Sequence, residues 1–70
     1  MSESDIELFL KINEPVFEIE GRQYSVCCPG EYFATWDEDG NTFDYPDIQT
    51  LLDNWIVGGR PFREVVEQIM

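Results

Sequence analysis

The 70-residue chain contains no histidine, only four lysine and arginine residues, and no pair of separated cysteines. Without histidine, no side chain has an ordinary pKa near neutral, and the usual Cys/His zinc sets cannot be assembled. Cys27 and Cys28 are neighbours, and a bridge between adjacent residues closes a strained small ring, so a structural disulfide is not expected. Reduced thiols fit an intracellular protein. Cys28 is expected as a small buried hydrophobe with Cys27 as its outward neighbour. No run of about 18 apolar residues is present to span a bilayer. The acidic opening Met1-Ser2-Glu3-Ser4-Asp5 has the wrong sign for a secretory or mitochondrial leader, so a cytoplasmic location is expected.

The shortage of cations is uneven. Lysine and arginine are absent from Gln23 to Gly59, while the same stretch carries Glu31, Asp37, Glu38, Asp39, Asp44, Asp47 and Asp53. Over the whole chain the formal charge is -11, and a chain this short has a small core with which to withstand the repulsion. Hydrophobic residues nevertheless make up 43% of the sequence, too many for a disordered acidic tail. One compact domain over residues 1–70 is expected, with no internal repeat or long linker.

The pattern predicts an α+β fold. Ser4 and Glu7 have capping-box spacing and Pro15 closes the first run, giving a helix over residues 5–13. Ile6, Leu8, Leu10 and Ile12 also alternate, which is the pattern of a strand. Two β-hairpins follow. With Gly21-Arg22 as a type II′ loop, Ile19 faces Tyr24, Phe17 faces Val26 and Glu18 faces Ser25. With Asp39-Gly40 as the second loop, Trp36 faces Phe43 and Ala34 faces Tyr45 toward the core, leaving Phe33, Thr35, Asp37, Thr42 and Asp44 outside. After Pro46, Ile48, Leu51, Leu52, Trp55 and Ile56 recur with helical period until Gly58-Gly59. Pro61 opens a last helix with Phe62, Val65, Val66 and Ile69 on one stripe. Both C-terminal helices are expected to pack on one face of the antiparallel sheet.

Several chemistries fit the residues poorly. Asp37-Glu38-Asp39-Gly40-Asn41 has the look of a calcium loop, but Thr42 and Ile48 stand where its glycine and bidentate glutamate belong. A solvated hairpin tip is the simpler reading, and no metal or cofactor site is expected. The two thiols lie among carboxylates, which raise a thiol pKa, and a chain this short leaves little room for a substrate cleft, so an enzyme is not expected. Fifteen acids against Lys11, Arg22, Arg60 and Arg63 oppose direct contact with nucleic acid. Arg60 and Arg63 are expected to neutralise neighbouring acids.

Binding to another protein remains. Alternate strand residues lie about 7 Å apart, comparable with successive phosphates of an extended nucleic-acid strand. The acids Glu31, Asp37, Glu38, Asp39, Asp44, Asp47 and Asp53, extended by Glu18 and Glu20, are therefore the expected partner-binding set. Asp37, Asp39 and Asp44 are expected to be exposed. In size and charge, and not through any motif, the chain resembles phage-encoded inhibitors that mimic DNA, anti-CRISPR proteins among them. That resemblance implies a partner protein with a basic surface, such as a nucleic-acid-processing enzyme. The alternative is an adaptor or homodimer that binds through spare apolar residues, Leu8, Ile12 and Phe33, with the acids serving solubility.

Overall fold

The computed structural model describes residues 2–70. Its N-terminal part is a helix, α1 (Glu3–Asn13), and not the alternating strand that the same residues permit. The cap is Ser2 and not Ser4: the Asp5 N–H donates to the Ser2 hydroxyl oxygen at 3.1 Å, so the helix starts two residues before the expected position. Glu14, at φ 43°, closes it with its N–H on the Leu10 carbonyl. Ile6 and Leu10 are buried, whereas Leu8 and Ile12 are left in solvent.

Four strands follow in a meander, β1 (Val16–Ile19), β2 (Arg22–Cys27), β3 (Phe33–Asp37) and β4 (Thr42–Tyr45), so both hairpins belong to one antiparallel sheet. The first turn is Glu20-Gly21, both at positive φ as a type I′ turn requires. Phe17 therefore faces Tyr24 and Ile19 faces Arg22, a register two residues from the expected one. A shift of two preserves the facing of every side chain, and the expected core residues Phe17, Ile19, Tyr24 and Val26 stay together.

The second hairpin differs by one residue, which has a larger effect. β3 stops at Asp37, and the loop is Glu38-Asp39-Gly40 rather than Asp39-Gly40. The Gly40 N–H closes a turn onto the Asp37 carbonyl, and Gly40 takes φ +86°. Such a three-residue loop changes the parity of the pairing. Thr35 faces Phe43 and Trp36 faces Thr42. Phe33 and Thr35, expected outside, are buried, whereas Trp36 is 41% exposed. Phe43 keeps the expected facing but is 56% exposed at the sheet margin. The Thr35 hydroxyl is satisfied by the Phe43 carbonyl at 2.8 Å.

The helix after Pro46, α2 (Ile48–Asn54), ends four residues before Gly58. Trp55 turns extended and sets its ring against Phe62, with centroids 4.8 Å apart, and against Tyr24 at 6.1 Å. Ile56 consequently lies outside the helical stripe and is exposed. Gly58-Gly59 is the turn of a small hairpin, β5 (Ile56–Val57) and β6 (Arg60–Pro61), rather than a helix end. α3 (Phe62–Val65) and a 3-10 turn (Val66–Gln68) complete the chain. Residues from α1, α2 and α3 join Tyr24, Val26 and Phe33 in one core cluster. The α+β architecture thus has its helices on one side of the antiparallel sheet. Its opposite face is open. Among the described residues no helix is long and apolar enough to cross a membrane.

Candidate functional site

The register defines the open face by residue. Val16 and Glu18 of β1, Gln23, Ser25 and Cys27 of β2, Ala34 and Trp36 of β3, and Thr42 and Asp44 of β4 share it. None of these residues carries a positive charge. Val16, 71% exposed, and Trp36 flank a shallow groove of about 100 Å³ that Ser25, Gln23 and Glu38 help to line. Glu18 and Asp44 stand on the two outermost strands, three strand spacings and four residues of register apart, about 20 Å on the diagonal. The face thus has an aromatic side chain, Trp36, at its centre and carboxylates toward its margin.

The seven expected site acids do not form one array. Asp37, Glu38 and Asp39 gather at the β3–β4 loop. Asp37 is half-buried and lies on the helix side of the sheet opposite Tyr24, contrary to the exposed position expected. Its carboxylate accepts from the Asp39 N–H at 2.9 Å and from the Asn41 N–H and side-chain amide at 3.0 and 2.9 Å. The hydrogen bond from the Asn41 side chain is the main cause holding this carboxyl below its usual range. The calcium-like run is therefore a hydrogen-bonded turn.

Glu38 accepts the Gln23 N–H at 2.8 Å, continuing the β2–β3 ladder where β3 has ended. Arg22 pairs with Asp39 and lies 3.8 Å from Asp37. Asp47 caps α2 by accepting the Thr50 N–H at 2.7 Å, which lowers its pKa. Asp53 takes the Arg63 guanidinium at 2.7 Å, and the same arginine reaches Glu3 at 3.1 Å. Glu31 and Asp47 border a cleft of about 330 Å³ beside Glu7 and Lys11, with Phe33 at its floor; Lys11 pairs with Glu7 at 3.5 Å. Asp44 stands on β4 by itself.

Internal cations thus offset Asp37, Asp39 and Asp53. Among the described residues Glu31, Glu38, Asp44 and Asp47 have no cation within salt-bridge distance. Asp47 remains ionised because its hydrogen bonds favour the charged form.

Both thiols are free and half-buried, a shallower position for Cys28 than expected. Cys28 donates to the Gly30 carbonyl at 3.2 Å and packs against the core. Burial first, then Glu14, Cys28 and Asp44, push the Cys27 thiol up, which disfavours a nucleophilic thiolate.

Sequence reasoning missed Trp36 and Val16 as surface groups. A two-residue Asp-Gly loop turns Trp36 inward. The signal that could have corrected it is Asp37 with Asn41 four residues on, a pair able to close a three-residue loop. Leu8 and Ile12 are exposed as expected, but Phe33 is part of the core. No protein-family model matches the chain, and no curated protein or solved structure shows significant similarity to it.

Proposed function

We propose that this chain is a non-enzymatic protein-binding domain whose open sheet face docks on a basic protein surface. In its most concrete form it is an inhibitor that occupies a nucleic-acid-binding groove, as the DNA-mimicking phage inhibitors of similar size and charge do. The observation that carries this reading is the composition of the open face. Val16 and Trp36 are exposed between Glu18, Glu38 and Asp44, with no lysine or arginine on the face. Trp36 supplies desolvated contact area, and the surrounding carboxylates steer a cationic partner and reject an anionic one. Glu31 and Asp47 extend the negative field around the cleft beside α1.

The test is capture of partners from lysate at low and moderate salt. It is followed by a competition assay in which the purified partner's nucleic-acid binding is titrated with the domain. Competition that weakens steeply with salt and is abolished by Glu18→Lys with Asp44→Lys supports the reading. Retained competition by that double variant rejects it.

A second reading rests on Leu8 and Ile12, 58% and 68% exposed one turn apart on α1. These residues form an apolar patch for an adaptor contact or a homodimer. Binding that ignores salt but is lost in Leu8→Asp or Ile12→Asp selects this alternative.

A further inference from the structure

β4 is an open edge of the sheet: it pairs with β3 alone, and Thr42, Phe43 and Asp44 are all exposed. Edge strands offer unpaired N–H and C=O groups to any extended chain, and proteins ordinarily blunt them with shortness, charge (lysine above all), proline or a bulge; β4 is four residues long and its one charge is Asp44. Residues 42–45 contain no lysine or proline, and their register with β3 runs unbroken through all four pairs. The opposite edge is less available. Ile19 at the end of β1 is buried, and the β5–β6 turn sits so close that a Cβ on Gly58 would lie 2.6 Å from its Cγ2.

The ladder fixes which groups of β4 are free. The Asp37 N–H donates to the Asn41 carbonyl at 3.1 Å, and the Phe43 carbonyl faces β3, where it takes the Thr35 hydroxyl. Hydrogen-bonded pairs alternate along an antiparallel ladder, so Thr42 and Asp44 direct their N–H and C=O groups away from the sheet.

Charge selects the occupant. Asp44 lies in the middle of this edge on the open face. A second copy of the chain would bring another Asp44 alongside, in a molecule already at formal charge -11, and like charges across a strand pair are destabilising. A strand with lysine or arginine beside Asp44 meets the opposite condition. On the other side of the same edge the exposed Phe43 ring gives an apolar side chain a neighbour.

We propose that the β4 edge receives, as a fifth strand, an extended segment of the partner protein in which lysine or arginine alternates with apolar residues. This rests on the reading of a basic partner and assigns its main-chain contact to the edge rather than the open face.

The probe is a six-residue peptide alternating lysine and valine, titrated into the full chain and followed by amide NMR and hydrogen exchange. Protection of the Thr42 and Asp44 amides is expected to rise about tenfold or more. Thr42→Pro removes an outward donor at an edge position that tolerates proline and should weaken the peptide at least tenfold. Should that variant not fold, Asp44→Lys gives the same loss and shifts preference to a peptide alternating glutamate and valine. Shifts centred on Val16 and Trp36, abolished by Trp36→Ala but unaffected by Thr42→Pro, overturn the edge proposal while supporting the open-face reading. Failure of the peptide to bind at low salt also overturns it. The open-face reading is then judged separately by the Glu18→Lys, Asp44→Lys competition.

Discussion

The Gly58 N–H donates to the Tyr24 hydroxyl at 3.2 Å, joining the β5–β6 turn to the middle of the main sheet across 34 positions of sequence. Tyr24 is buried, with its ring against Phe17 and Trp55. Its hydroxyl is thus the polar end of an otherwise apolar contact. Tyr24→Phe keeps the ring and leaves the Gly58 N–H without that partner. A loss of about 1–2 kcal/mol is expected in urea unfolding.

The two glycines of that turn should respond differently to alanine. Both have positive φ, but a Cβ on Gly58 would meet Ile19 at 2.6 Å and Glu20 at 3.1 Å, whereas one on Gly59 would meet nothing within 4 Å. Gly59→Ala incurs the backbone penalty alone, about 1–2 kcal/mol. Gly58→Ala adds displacement of a packed strand end, with a total expected at about 3 kcal/mol or more. Equal melting temperatures for the two variants would contradict this account.

Phe62 is fully buried, 5.9 Å from Phe17 and 4.8 Å from Trp55 between ring centroids. Phe62→Ala is expected to cost about 3–5 kcal/mol. That is most of the stability available to a domain of this size, so far-UV circular dichroism at 25 °C should show a largely unfolded population. Phe62→Leu, which fills part of the space, should remain folded.

Acid should weaken the fold through two identified carboxylates. Hydrogen bonds to Asp37 from Asn41 and to Asp47 from Thr50 lower both pKa values in the folded state. A lowered folded pKa contributes stability that is complete above the unfolded value, about 3.9 for aspartate. It is lost as pH falls through the folded value. Urea midpoints measured from pH 6 down to pH 2.5 should therefore decline less in Asp37→Asn and Asp47→Asn than in the parent. Comparison with the parent separates these groups from the general relief of repulsion as other acids protonate.

Trp36 supports the core little and the proposed function strongly. Trp36→Ala should cost about 1 kcal/mol of unfolding free energy, the scale of its cross-strand contacts, well below the cost of Phe62→Ala. The same variant should bind the partner at least tenfold more weakly by calorimetry. Unchanged affinity would remove the open face from the interface.

Much of the fold follows from local chemistry. Pro46, Asp47 and the spacing of Ile48, Leu51 and Leu52 specify the start of α2 and its buried side, because capping and helical period act within a few residues. Gly21 marks the first turn even though its place within that turn differs from expectation, since the two-residue shift left the apolar face intact. The candidate site was less legible. The charge block from Gln23 to Gly59 was evident, but not that Arg22 and Arg63, lying outside it, fold back onto Asp39 and Asp53. Ion pairs between distant residues leave no periodicity to read.

The sequence by itself determined an acidic α+β domain, its succession of helix, hairpins and helices, and the scarcity of cations, all properties of composition and short-range pattern. Tertiary structure decided which face of β3 meets the core. There one additional loop residue, held by the Asp37 hydrogen bonds, inverted Phe33 and Trp36, because a strand has a period of two and gives no local penalty for either parity. It also decided which acids stay uncompensated at the surface, since that depends on where a few arginines arrive once the chain has closed.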